Sequence, residues 1–264
     1  GFHPAPSLDA VAAMRARLDA ARAEAEALVR WTARLPLPDD EQDFVSVAMR
    51  HPGEYAITRG RIVSSAGHDL DITEYERHFR EFQVPHSTAL HAHLDGRPYL
   101  VGPLARMNLN LDRLPAALRD LLDGTGIRFP SRNMFHSIVA RAAEIWLAVD
   151  EAARLLADYA VPDAAAVAST PCAGTGFGCS EAPRGILWHR YAADAGGNVA
   201  EARIVPPTSQ NQARIEEDLR LSLTRFGLER PDAELRLRGE TVIRNYDPCI
   251  SCATHFLRLK VERA

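Results

Sequence analysis

Apolar residues recur at helical spacing over most of this chain, and the two longest runs dominate the pattern. Behind Ser7 as an N-cap, Val11, Met14, Leu18, Ala21, Ala25 and Leu28 predict a helix through Leu35, stopped by Pro36 and Pro38. Ile138, Ala142, Ile145, Val149, Ala152, Leu156 and Tyr159 predict a second long helix from about Met134 to Tyr159. Phe135, Val139 and Trp146 widen its stripe, which places it centrally in a helical bundle. Leu114, Leu118, Leu121 and Leu122 mark a short helix that Gly124 terminates. Two more helices are expected, from Gln210 to Phe226 and between Pro231 and Arg244.

The β signals are shorter. EYAITRGRIVSS reads as paired strands turning at Gly60, GRPYLVGPLARMN as an extended piece, and FLRLKV after His255 as a strand. Gly174, Gly176 and Gly178 alternate and read as a mobile loop. The segment ILWHRYAADAGGNVAEARIV then predicts a hairpin closing at Gly196 and Gly197. The expected fold is mainly α, a bundle of long helices with small β elements near a candidate site, as a single domain over residues 1–264.

Composition narrows the function. A formal net charge of −4 lacks the basic excess of a nucleic-acid surface. No stretch approaches the eighteen or more uninterrupted apolar residues of a membrane helix, so neither nucleic acid nor membrane is an expected partner. Four cysteines in a chain this long do not form a disulfide scaffold, which fits a reducing, cytoplasmic setting. The start, GFHPAPS, has no signal-peptide pattern and reads as a piece of a longer or processed protein.

Two of those cysteines lie in the run DPCISCATH, which gathers Asp247, Pro248, Cys249, Cys252 and His255. Thiolates two residues apart can share one borderline metal, with the imidazole of His255 within reach. A structural zinc bound by Cys249, Cys252 and His255 is the competing reading, and a closed zinc site needs four ligands. Cys172 and Cys179 are poor suppliers of the remainder, given the glycines between them. In GTGFGCSEAPRGILWHRY, Pro183, Arg184 and Gly185 set a rigid turn beside a guanidinium; a surface ion pair is the bland alternative. IVPPTSQN places Pro207 and Thr208 at a helix start, where Thr208 or Ser209 also serves as an N-cap. His86, His91 and His93 read as a solvated loop cluster, and Arg106 and His136 as structural.

Taken together, DPCISCATH, EAPRG followed by Leu and His, and the PT pair followed by an Asn resemble the large subunit of nickel-iron hydrogenases. GPLARMNLN and SRNMFHSIVARAAEI resemble its cytosolic, cofactor-coupled branch. The resemblance covers nearly the whole chain. It implies a nickel–iron centre whose iron carries one carbon monoxide and two cyanides, with Cys249 a terminal and Cys252 a bridging ligand. It implies heterolytic cleavage of H2, with Cys249 as base and Arg184 and Asp247 organising the pocket. Pro183, Pro207 and Thr208 would lie against the diatomic ligands, Thr208 donating its hydroxyl to a cyanide. His255 would approach a magnesium-type ion. Implied partners are an iron–sulfur small subunit and, less directly, nicotinamide-linked diaphorase subunits.

Two departures bear on this. The family takes its other nickel ligands from an N-terminal CxxC, and no such pair precedes Cys172. The expectation is therefore a C-terminal portion with its N-terminal part elsewhere, inactive alone. Nine residues also follow His255, where many members are cut. A complex I-type relative is disfavoured, since that lineage generally lacks the paired cysteines.

Overall fold

The computed structural model describes residues 5–164 and 166–249. Cys252, His255 and the FLRLKV segment lie outside the described residues. In chain order the elements are α1 (Leu8–Ala33), β1 (Val45–Arg50), β2 (Arg61–Ser64), β3 (Asp69–Leu70), α2 (Tyr75–His78), β4 (Phe79–Phe82), β5 (His91–Leu94) and β6 (Tyr99–Leu100). There follow α3 (Pro103–Asn110), α4 (Ala116–Asp123), α5 (Ser137–Ala157), β7 (Gly174–Ala182), β8 (Gly185–Ala193), β9 (Val199–Val205), α6 (Pro207–Phe226) and α7 (Asp232–Arg244). The fold is mainly helical with small sheets, ordered β3-β2-β1-β6, β4-β5 and β7-β8-β9.

The long helices form as the pattern predicts. Ser7 caps α1, its Oγ accepting from the Ala10 amide at 3.2 Å. Val11, Ala25, Val29 and Thr32 are its buried positions, and α1 packs along α5. Met14 is 52% exposed, so the predicted stripe is interrupted after Val11 and is fully buried again only at Ala25. In α5 the buried set is Val139, Ala140, Ala142, Ala143, Trp146 and Ala153, while Ile145 is 45% exposed. The buried face is thus rotated from the predicted one toward the small residues. Alanines there let α1, α3 and α4 approach closely, and close packing rewards that more than one larger side chain. The long helices fall into two groups, α1 with α5 and α6 with α7.

Other expectations shift. β2 does pair antiparallel, but its partner is β1, with Val47 opposite Ser64 and Arg50 opposite Arg61. The EYAI half of the expected hairpin is therefore connecting loop. Gly60 is needed there because φ is +149° and a Cβ would lie 2.6 Å from the Arg50 carbonyl oxygen. In GRPYLVGPLARMN only Tyr99–Leu100 is a strand; Pro103 opens α3 at a position where its missing N–H costs nothing. The glycine-rich stretch is not a mobile loop but the nine-residue β7, paired with β8 from Gly174↔Ala193 to Ala182↔Gly185.

A β core holds Val47, Met49, Ile62, Tyr75, Phe79, Tyr99, Ile186, Trp188 and Val205. Tyr75 stacks on both Phe79 and Trp188, and the Trp188 Nε1–H donates to the Ile72 carbonyl at 2.8 Å. This anchors β8 against the first sheet.

The segment after α1 is tied to the α6–α7 pair by one buried carboxylate. Asp40 accepts from Ser222 at 2.6 Å, Arg225 at 3.0 Å and Arg238 at 2.5 Å. Burial pushes its pKa up, but the hydrogen bonds from Ser222 and Arg225 and the charge of Arg238 outweigh it, so the net direction is down. A depressed folded pKa gives stability present above the ordinary carboxylate value and lost as pH falls through the lower one. Asp40→Asn should lower unfolding stability at neutral pH by roughly 1.5–3 kcal/mol. In denaturant titrations across pH the gap to wild type should close below about pH 4.

Candidate metal centre

The three sequence motifs converge through backbone clamps. Pro183 and Arg184 form the two-residue turn between β7 and β8. Gly185, at φ +133°, lies so close to Val101 that a Cβ would sit 2.4 Å from its Cγ2. Gly102, at φ +112°, has equally little room, 2.9 Å from the Arg184 carbonyl oxygen. Asn211 on α6 fixes this approach: its Oδ1 accepts from the Val101 amide at 2.9 Å and its Nδ2 donates to the Val101 carbonyl at 3.1 Å. The neighbouring Gln210, fully buried, donates to the Ile186 carbonyl at 2.6 Å. The start of α6, with Pro207 at its first turn, is thereby fastened to the PRG turn.

Beneath the turn lies a buried ion network. Arg106 donates to Glu144 through Nε and Nη2, both at 2.6 Å, and to Glu181 at 2.9 Å. It also donates to the carbonyls of Ala182 at 2.8 Å and Pro183 at 3.0 Å. Glu181 accepts a further bond from the Met49 amide at 2.7 Å. Burial pushes the Glu181 pKa up, against the opposing charge of Arg106. The structural role expected for Arg106 is therefore specific: it holds both carbonyls that precede Arg184.

The C-terminal motif reaches the same place. After α7, the Asn245 carbonyl accepts from Ser137 at 2.9 Å and from Arg141 at 3.0 Å. The buried Tyr246 hydroxyl donates to Asp218 at 2.8 Å. Asp247 takes a left-handed conformation, φ +46°, which turns the chain toward Arg184. The Arg184 Nε donates to the Asp247 carbonyl and lies 3.2 Å from its Oδ2. Arg184 and Asp247, 63 residues apart, are thus in contact two residues before Cys249.

The two Nη groups of Arg184 bond no described residue, and the guanidinium is 37% exposed. Thr208 is 3% exposed, and no described residue engages its hydroxyl. A guanidinium fork and a hydroxyl are the donor types that small acceptor ligands on a metal would use. Cys252 and His255 were expected to complete the centre and lie outside the described residues.

Sequence reasoning missed Arg141, whose pKa burial pulls down, with the Asp247 charge opposing and Arg106 and Arg184 adding to the shift. Its only signal was an arginine flanked by alanines in the first half of α5, and Arg154 near the other end looks much the same. The clamping role of Asn211 was also missed, because nothing local distinguishes it from a solvated helical polar residue. The histidine cluster is not solvated throughout: His91 is 1% exposed. Cys172 and Cys179 are free, and Cys179 is fixed in β7. The strand rise of about 3.3 Å per residue puts Cys179 roughly 16 Å from Gly174 alone, so the two thiols cannot meet at one zinc. Burial, ahead of the Glu181 charge, pushes the Cys179 thiol pKa well up.

A family model for the nickel-dependent hydrogenases matches residues 87–255, which spans all three motifs. The chain belongs to the nickel-dependent hydrogenase family. It is 32% identical to the sulfhydrogenase 1 alpha subunit of Pyrococcus furiosus, over 98% of this chain and 61% of that protein. It is 33% identical to the beta subunit of the NAD-reducing hydrogenase HoxS of Cupriavidus necator, over 77% of this chain and 45% of that protein. The structure of an NAD+-reducing NiFe hydrogenase in its H2-reduced state matches with a TM-score of 0.78, at 24% identity, over 97% of this chain and 62% of that one. That likeness shows the shared fold. The chain spans about three fifths or less of the length of these relatives. No helix among the described residues is long and apolar enough to cross a membrane.

Within this hydrogenase-family fold the Arg106 network supports the site mechanically. Arg106→Met would leave the buried Glu181 and Glu144 without their shared countercharge, and unfolding stability of the full-length protein should fall by about 3–5 kcal/mol. Arg106→Lys should recover only part of it, since an ammonium cannot reach two carboxylates and two carbonyls from one plane. Chemical denaturation of the three proteins checks both statements.

Proposed function

We propose that this chain is the C-terminal portion of a hydrogenase large subunit and contributes half of a nickel–iron site that oxidises and forms H2. The observation that carries the reading is the Arg184–Asp247 contact, which sets the PRG turn directly over the residues leading into Cys249. Family membership supports it, as do relatives named as hydrogenase subunits. The remaining nickel ligands would come from the N-terminal part of the subunit, which carries its own CxxC under this reading.

A nickel–iron centre with cyanide and carbonyl ligands would supply Lewis-acid polarisation of dihydrogen and a sink for its electron pair. This chain's residues do the rest. Cys249 and Cys252 would hold the nickel side as thiolates, and the Cys249 sulfur would serve as the base for the proton of H2. Arg184 would offer its Nη donors to the acceptor ligands and to the polarised H2, while Asp247 fixes the guanidinium through Nε. Thr208 would donate its hydroxyl to a cyanide, while Pro183 and Pro207 would wall the site with groups that carry no N–H. His255 would approach a magnesium-type ion. Electrons would leave to an iron–sulfur small subunit, and NAD(P)-linked partner subunits fit the NAD-reducing relative. A cytoplasmic location completes the reading.

Metal analysis and infrared spectroscopy of the full-length protein, purified anaerobically from its host, test it directly. Nickel and iron with cyanide and carbonyl stretches are expected. Zinc alone without those bands would remove the proposal and leave a structural metal site. Cys249→Ser or Cys252→Ser should abolish nickel retention. Arg184→Lys should keep the metals bound yet slow H2 turnover by about 10²-fold, the scale of losing a pre-aimed electrostatic donor.

A further inference from the structure

His91 opens β5 and is buried, with only 2% of its side chain exposed. Both of its ring nitrogens face acceptors. Nδ1 lies 3.3 Å from the Ala89 carbonyl oxygen and Nε2 lies 2.9 Å from Oε1 of Glu216 on α6. A neutral imidazole carries one N–H and can satisfy only one of them. The other nitrogen would then set its lone pair against an oxygen lone pair, which a buried site does not tolerate without a cation between them. A cation on Nε2 would fill that gap.

His86 makes the metal the better occupant. From the loop before β5, its Nε2 lies 3.0 Å from the same Glu216 Oε1, so three ligand atoms from two elements converge on one point. All three lie within 4.8 Å of one another. A tetrahedral zinc with bonds of about 2.0–2.2 Å spaces its ligand atoms about 3.3 Å apart, so both histidine–Glu216 spacings are within tenths of an ångström of it, and the exposed His86 ring is free to swing toward His91. With metal on Nε2, the His91 Nδ1–H stays on the Ala89 carbonyl, the usual outer partner of a metal-bound imidazole. His86, 65% exposed, and Glu216, 39% exposed, leave the outer face open for water to complete the coordination.

We propose that His86, His91 and Glu216 bind a divalent metal of the zinc class, stapling the β4–β5 connection to the helix that begins with Pro207 and Thr208. His68, His78 and Asp95 also converge, but that cluster needs no cation. The Ser64 hydroxyl, 2.7 Å from His68 Nδ1, donates there and lets neutral His68 give its Nε2–H to Asp95 at 2.8 Å. The proposal stands independently of the hydrogenase reading.

The test uses the full-length, assembled protein. Zinc is added in small excess, free metal is removed by gel filtration, bound zinc is counted by mass spectrometry, and affinity is measured by competition with a chromophoric chelator. Wild type should retain one zinc more than His86→Ala and Glu216→Gln, with affinity at the site at least about tenfold weaker in either variant. His86 is exposed, so its replacement leaves the fold intact, and circular dichroism of that variant confirms it. His68→Ala should match wild type. Equal zinc content in wild type and His86→Ala would overturn the proposal. Loss of zinc in His68→Ala alone would overturn it in favour of the other cluster.

Discussion

The guanidinium of Arg106 is the constraint on which the site depends. Burying one cation between two carboxylates is costly in desolvation and is tolerated only when nearly every donor finds a partner. Here four of those partners, Glu144, Glu181 and the carbonyls of Ala182 and Pro183, are met from a single residue on α3. Because α5 supplies Glu144 and β7 supplies Glu181, the network locks a helix–helix layer to a sheet. It holds the backbone leading into Arg184 at one height above both.

What is built on that base is a junction of backbones brought unusually near. Gly102 and Gly185 permit it because neither has a Cβ, and Asn211 enforces it by satisfying both polar groups of Val101. Such a junction carries little energy of its own. Its value is positional: it fixes where the PRG turn, the start of α6 and the C-terminal segment stand relative to one another. Asp247 holds Arg184 through Nε, and the two Nη groups of that arginine bond no described residue.

Much of the site was legible in sequence because its chemistry is carried by residue types that have few other uses in such spacing. Pro183–Arg184–Gly185, Pro207–Thr208 and Asp247 with Cys249 could be named from their motifs, and the structure brings Arg184 and Asp247 together. The supporting shell was not legible. Arg141, Asn211 and the partners of Arg106 act over 38 to 110 residues of separation, and nothing in their neighbourhoods marks them. The histidines show the same limit: PHSTALHAH reads as polar loop, yet His91 is buried because Glu216, far along the chain, receives it.

By itself the sequence determined the long helices α1, α5 and α6 and the shorter α4 and α7, though not α2 or α3, since periodicity, the Ser7 cap and proline stops are local and survive tertiary packing with only a rotation of the buried face. It also named the candidate site residues through their motifs. Tertiary structure alone decided the pairing of strands and the geometry of the centre. β1 outcompeted EYAI as the partner of β2, and β7 became a strand despite its glycines because β8 lay beside it. Strand pairing and site assembly are contacts between distant segments, and their free energy exists only once the chain has closed on itself.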